Sequence, residues 1–140
     1  MSKTDIVFAA NSFEEMRRIP ILPPELNIEH PWNNEEFETI NLGTINLIGL
    51  PGLRTLSIES FFPVRPYPFA KDKRMAWSYV QFFRKWREKR VPLRVIITDN
   101  DERELLNMPC TIDNFVHGPD RSGDIRYSLE VKEFKFVRVT

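Results

Sequence analysis

The sequence is poor in the residues that small catalytic domains usually rely on. Its 140 residues include one cysteine, Cys110, and two histidines, His30 and His117. A lone thiol cannot close an internal disulfide. Cys110 has no Cys-x-x-Cys or Cys-His neighbour, so it reads as a core residue, and a single thiol fits a reducing compartment or no redox pressure at all. Neither histidine has a second metal ligand at a useful spacing, and both read as loop residues. No charge of one sign dominates: 20 acidic residues stand against 20 basic ones. A dedicated nucleic-acid binder carries a large basic excess, so specific nucleic-acid binding is not expected. No run approaches the ~20 apolar residues of a membrane span. The apolar stretch Ile6–Ala10 is too short for a signal peptide and is ended by Asn11, Glu14 and Glu15. The expectation is a soluble protein made in the cytoplasm, with no membrane partner.

Catalytic and ligand-binding patterns are equally incomplete. Glu35, Glu36 and Glu38 cluster, but paired catalytic carboxylates need a cleft, and a solvated strand face accounts for them. Gly49-Leu-Pro-Gly52 lacks the Lys-Ser/Thr of a phosphate loop. Asp99, Asp101 and Glu102 fall short of a calcium loop, which needs a central glycine and a terminal glutamate. The basic block from Arg84 to Arg94 reads as a solvated helix C-terminus, where cations suit the dipole. No nucleophile, base and oxyanion donor come together. The chain reads as a non-enzyme with no metal and no cofactor.

What the sequence does contain is strand signal. A chain of this length is one domain, residues 1–140, by the usual prior. Its last third carries a run from Asp124 to Val139. There Ile125, Tyr127, Leu129 and Val131 alternate with Arg126, Ser128, Glu130 and Lys132, the mark of a half-buried strand. The apolar phase then moves to Phe134 and Phe136, which predicts a bulge near Lys132–Glu133. Unbroken, this element would span roughly 50 Å, far beyond an ordinary strand. Shorter strands are expected over Ile6–Ala10, Arg17–Leu22, Leu26–Glu29, Glu36–Asn41, Arg54–Ser60 and Leu93–Thr98. Another is expected over Glu104–Val116, broken near Pro109. His117–Gly123 reads as a hairpin loop, Leu42–Leu53 as an unusually apolar loop, and Phe61–Phe69, with its three prolines, as an extended connector. One helix stands out. Met75, Tyr79, Phe82, Phe83 and Trp86 recur at 3–4 spacing after a capping Asp72, and Pro92 stops the run. The residues alone give a β-rich domain with one helix, built for assembly.

Several separated blocks also resemble a known family. They are Leu42-Gly-Thr-Ile-Asn-Leu-Ile-Gly49, Leu53-Arg-Thr-Leu-Ser-Ile-Glu-Ser-Phe-Phe-Pro63, Phe83-Arg-Lys-Trp-Arg87, Pro92-Leu-Arg-Val-Ile-Ile-Thr98, and Phe115-Val-His-Gly…Gly123-Asp-Ile-Arg-Tyr-Ser-Leu-Glu-Val-Lys-Glu-Phe134. In this order, from about Ile19 onward, they resemble the N-terminal domain of the LysM-containing tail proteins. Those occur in contractile-tailed phages, defective prophages and phage-tail-like bacteriocins. The resemblance implies a mainly β (α+β) fold: two packed antiparallel sheets, a tail-tube-like sandwich or barrel, with one flanking α-helix. It implies a structural subunit of the virion tail or baseplate, assembled in the host cytoplasm. Its partners would be copies of itself in a six-membered ring, the tail tube and the baseplate hub. Members of that family continue into a linker and a peptidoglycan-binding LysM module. These 140 residues stop short of one, so cell-wall binding is not carried over.

Two surfaces are expected to carry assembly. Ile45, Leu47, Ile48, Leu50 and Leu53 are too many apolar groups for a solvated loop. Asp120 and Arg121 occupy the tip of the expected hairpin loop, poised to meet a neighbouring copy. A different class of function, a glycan- or cell-wall-binding adhesion module, would use exposed aromatics such as Trp32, Tyr67 and Phe69.

Overall fold

The computed structural model describes residues 4–99, 101 and 103–136. Among the described residues, nine strands and one helix follow in order as β1 (Asp5–Ala10), β2 (Glu15–Arg18), β3 (Asn27–Glu29), β4 (Glu35–Thr39), β5 (Gly43–Leu47), β6 (Thr55–Phe62), α1 (Ala76–Glu88), β7 (Leu93–Thr98), β8 (Glu104–Pro119) and β9 (Ile125–Glu133). The fold is mainly β, with two antiparallel sheets and one flanking helix. The sheets are unequal. Seven strands run in the order β2-β1-β7-β8-β9-β6-β3, and β4 and β5 form the other sheet alone. The large sheet has two free ends, β2 and β3, and so is not a closed barrel.

Period-2 alternation places the core on one face of the large sheet. Leu93, Val95 and Ile97 of β7, Leu106, Met108, Cys110 and Ile112 of β8, and Ile125, Tyr127, Leu129 and Val131 of β9 are all buried. Helix α1 lies over that face with Tyr79, Val80, Phe82, Phe83 and Trp86. The phenyl ring of Phe62 stacks on Tyr127 at 4.0 Å and on Tyr79 at 4.9 Å between ring centres. Phe8 meets Phe83 edge-on at 5.1 Å. Edge strand β2 is fastened to the helix by side chains. Glu15 accepts from Trp86 Nε1 at 3.0 Å and from Lys85 Nζ at 3.3 Å, while Arg17 donates to Ser78 at 3.2 Å.

Several expectations from the sequence need correction. The final strand ends at Glu133, so it spans nine residues, about 30 Å. Residues 134–136 leave the ladder, and the rest of the expected strand lies outside the described residues. The phase change at Lys132–Glu133 is therefore a strand end. The bulge sits on the partner strand, where the register slips between Ile112 and Asn114 and leaves Asp113 unpaired in the β8–β9 ladder. Pro109 does not break β8. The Phe134 N–H donates to Pro109 O at 2.8 Å, so Pro109 turns its missing donor toward the side where β9 has run out. Met75 belongs to no buried stripe. It is the exposed residue that caps α1, and it does so without a side-chain bond. Asp72 is not the cap either, since its carboxylate accepts from the Lys73 N–H and pairs with Arg74.

The Leu42–Leu53 stretch is only partly a loop, because Gly43–Leu47 is strand β5, paired residue for residue with β4. The expected strand Arg17–Leu22 stops at Arg18, after which Ile19 is buried in the core.

Candidate assembly surface

The chain between β3 and β6 forms a two-stranded arm. Antiparallel pairing puts directly opposed residues on the same face. Phe37 thus lies opposite Ile45, and Glu35 opposite Leu47, on one face. Glu36 lies opposite Asn46, and Glu38 opposite Thr44, on the other. One face is mainly apolar, with Glu35 near its base, and the other carries Glu36 and Glu38. The turn is closed by Thr39, whose hydroxyl donates to Gly43 O at 2.9 Å and accepts from the Leu42 N–H at 3.0 Å. Gly43 has φ of 72°, a left-handed value suited to glycine.

The base of the arm is tightly built. Trp32 bridges to Pro51, the Asn33 N–H donates to Leu50 O at 2.8 Å, and the Gly52 N–H donates to Pro31 O at 2.8 Å. The indole Nε1 of Trp32 donates to Gly49 O at 2.7 Å, and the Gly49 N–H donates to Asn34 Oδ1 at 2.8 Å. A Cβ on Gly49 would fall 1.7 Å from Asn33 O, so only glycine fits there. About ten residues per limb, from Pro31 to the turn, make a projection of roughly 30 Å. The arm is rooted next to a bidentate ion pair, in which Arg54 Nη2 and Nε reach the Glu133 carboxylate at 3.1 and 3.3 Å. These bonds, and the one from the Arg54 N–H, hold the Glu133 carboxyl below its usual range.

A two-stranded ribbon is marginal alone in water, and this one leaves its apolar groups uncovered. Ile40 and Leu42 at the turn are fully and largely exposed. Of the residues singled out from sequence, Ile45 is half-buried against its own ribbon, and Leu47 and Leu53 are exposed. Ile48 and Leu50 are 87% and 77% exposed. Fully burying one such side chain is worth about 1.5–3 kcal/mol, so this surface gains from a partner. Leu42 bounds the stretch singled out from the sequence, whereas Phe37 and Ile40 lie before it and were not among the residues singled out. Their signal was the alternation of Thr44-Ile45-Asn46-Leu47 after a glycine, which completes a hairpin with Glu36–Asn41.

Asp120 and Arg121 lie elsewhere. Their turn joins β8 to β9 beside the Phe62 end of β6, whereas the arm leaves from the Thr55 end. Seven residue steps of β6 separate the two, about 23 Å. The Asp120 carboxylate is occupied within its own turn, accepting from the N–H groups of Ser122 at 2.8 Å and Asp124 at 3.1 Å. Arg121 is exposed. The next residues clamp the proline-rich connector. Buried Asp124 accepts from the Val64 N–H at 2.9 Å and from the Tyr67 hydroxyl at 2.5 Å, and the Arg65 side chain bonds Ser122 O. Of the candidate adhesion aromatics, Trp32 serves the base of the arm, while Tyr67 and Phe69 neighbour each other in the connector.

His117 packs edge-on to Trp77, and His30 is exposed in the loop leading to the arm. Asp99 caps its own turn, accepting from the N–H groups of Asp101 and Arg103, and Glu102 lies outside the described residues. Among the described residues no three His, Cys, Asp or Glu side chains gather to hold a metal, and no helix is long and apolar enough to cross a membrane. Burial pushes the Cys110 thiol up to about 12.

No family model matches this chain. It is 27% identical over 139 residues to the Bacillus subtilis (strain 168) protein named "Uncharacterized protein YqbP", covering 96% of this chain. The chain spans 62% of that relative's length. Among solved structures it resembles a chain in the tail of an empty GTA particle with C6 symmetry, with a TM-score of 0.56 and 13% identity. That match covers 97% of this chain and 95% of the other. A weaker likeness, TM-score 0.48 at 12% identity, links it to a chain of the six-fold symmetrised baseplate of the anti-feeding prophage (AFP), covering 96% and 91%. With the GTA tail chain, what is shared is the fold.

Proposed function

We propose that this protein is a structural subunit of a contractile phage tail or tail-like particle, acting as one unit over residues 1–140. In this reading it joins the tail tube to the baseplate hub as a ring-forming piece, and it has no catalytic role, metal or cofactor. The observation that carries the reading is the arm: a stiffly based ribbon whose apolar face and tip lack cover. A free-standing binding module gains nothing from such a feature, whereas a subunit packed among neighbours buries it. Two lines support the reading. The fold is shared with a tail chain of a particle of C6 symmetry, and the sequence blocks resemble the N-terminal domain of LysM-containing tail proteins. A six-membered ring follows from a six-fold tube, and physics alone requires only that a head-to-tail contact close. The virion tail or baseplate is then its place of residence, and the tube and hub are its partners.

The test is made in the particle. Residues 35–48 are replaced by a short glycine turn, which removes the arm above its base, and folding of the variant is checked by circular dichroism. The expected result is a folded chain that no longer enters purified tail particles, while the wild-type chain is found there in multiples of the ring number. Absence of the wild-type chain from particles, or full incorporation of the armless variant, would overturn the reading.

A further inference from the structure

Charge is sharply segregated along this chain although its total is nil. Between Arg18 and Arg54 there is no lysine or arginine, and there are five glutamates: Glu25, Glu29, Glu35, Glu36 and Glu38. From Lys71 to Arg94 there are nine lysines and arginines against only Asp72 and Glu88. The acidic stretch contains the arm, and the basic stretch contains α1 and its exit.

The charges on the arm are unspent. Glu35, Glu36 and Glu38 are exposed and take part in no ion pair among the described residues. At the end of the helix, Lys85 is engaged by Glu15 and Arg84 faces Glu88 at 3.8 Å. Arg87 donates only weakly, to the Asp113 carbonyl at 3.3 Å. Arg90, in left-handed backbone at the helix exit, has no ion-pair partner among the described residues. Beside these two arginines opens a cleft of about 250 Å³ whose walls include Pro92, Cys110, Thr111 and Phe134. It offers an apolar floor under a cationic rim.

We infer that the arm of one copy docks in this cleft of a second copy, its tip residues Ile40 and Leu42 on the apolar floor and its glutamates facing Arg87 and Arg90. The inference rests on the reading above, in which copies adjoin in a particle. Charge complementarity selects the occupant, since an apolar, acidic tip matches an apolar, basic cleft. No ion pair joins the two within one copy among the described residues. Reach agrees as well, because the arm extends roughly 30 Å, about twice the ~14 Å radius of gyration of a compact chain this long. The two patches differ, so the contact is head-to-tail and recurs from copy to copy.

The test uses assembled particles. With Cys110→Ser as background, Leu42→Cys and Thr111→Cys are introduced together, and the particles are treated with a short bifunctional maleimide. A ladder of cross-linked multimers is expected from the double variant and none from either single variant. Charge reversal gives a second arm of the test. Glu36→Arg with Glu38→Arg, or Arg87→Glu with Arg90→Glu, should each lower incorporation at least about tenfold, since like charges then face each other. All four together should restore it. If the chain is present in particles but the ladder and the reversal effect are missing, the docking is wrong and the tail reading survives. If basic substitutions on the arm leave assembly intact but the helix substitutions abolish nucleic-acid retention, the cleft serves nucleic acid, and the inference falls. Absence of the chain from particles removes both.

Discussion

Trp86 gives the most demanding test of how the fold is held together. Its side chain is 3% exposed, so Trp86→Ala removes a ring that buries about 150–250 Å². At about 25 cal/mol per Å² that is roughly 4–6 kcal/mol, consistent with the 3–5 kcal/mol typical of Trp→Ala in cores. The indole also donates to Glu15 at 3.0 Å and underlies the ammonium groups of Lys85 and Lys89, each 4.9 Å from the ring centre. The expected loss is about 4 kcal/mol, a large share of the 5–15 kcal/mol total of a typical domain. Urea titration followed by circular dichroism should show the midpoint falling by about 2 M at ordinary slopes. Trp86→Phe separates the two contributions, since it keeps most of the packing and should cost about 1–2 kcal/mol for the lost donor.

The pH dependence gives an internal control. Desolvation raises the Glu15 carboxyl, but the bonds from Trp86 and Lys85 together outweigh it and leave the group lowered. A lowered carboxylate contributes stability that is full above its unfolded value and is lost as pH falls through its folded value. That window lies below the ordinary 4.5, and Trp86→Phe should flatten the dependence there. A loss below 1 kcal/mol for Trp86→Ala would mean that the helix does not lie on the sheet as described.

Three further outcomes are expected. Asp124→Ala leaves the Val64 N–H and the Tyr67 hydroxyl without their acceptor and should cost about 2–3 kcal/mol, while unchanged urea stability would show that the connector is not clamped there. Gly49→Ala forces a methyl group against Asn33 O and should distort the base of the arm while shifting the urea midpoint of the core very little; normal incorporation into particles would count against the arm's role. Cys110, buried and with its thiol pushed up to about 12, should resist a thiol reagent at pH 8 in the native protein and react fully once unfolded, and rapid native labelling would contradict its burial.

Patterns with a strong period were readable in the sequence. The face bearing Ile125, Tyr127, Leu129 and Val131 is buried as expected, and so is the helical stripe Tyr79, Phe82, Phe83 and Trp86. Readings failed where chain ends and partner strands decide. Phe134 and Phe136 looked like a phase slip because a period cannot tell a bulge from the end of a strand. The real bulge at Asp113 sits where the apolar phase of β8 passes from Leu106, Met108, Cys110 and Ile112 to Phe115, a one-residue slip that the polar Asp113-Asn114 pair obscures. Pro109 argued for a break, but proline is tolerated in a strand wherever its nitrogen faces a side with no ladder. Met75 fits the stripe by spacing, yet the helix begins one residue after it and turns it to solvent. The apolar groups of residues 42–53 were legible as too many for an ordinary loop, and most are exposed, but their arrangement as a ribbon was not legible. Pairing with β4 depends on Phe37 lying opposite Ile45, a relation between two segments that neither shows alone.

The arm has two unequal roots. On one side it runs into β6, which pairs with β9 at eight positions from Thr55 to Phe62. On the other it runs into β3, which pairs with β6 at only three. If a neighbour pulls on the tip along the direction of β6, the eight-position ladder is loaded in shear, with its bonds sharing the force. The three pairs of β3, at the free edge, bear the same kind of shear with far fewer bonds to share it. Under tension the arm would thus stay moored through β6 while the β3 limb yields first, so that chain is paid out from one side only. A fold of this design can give way by a few residues under load without surrendering its core.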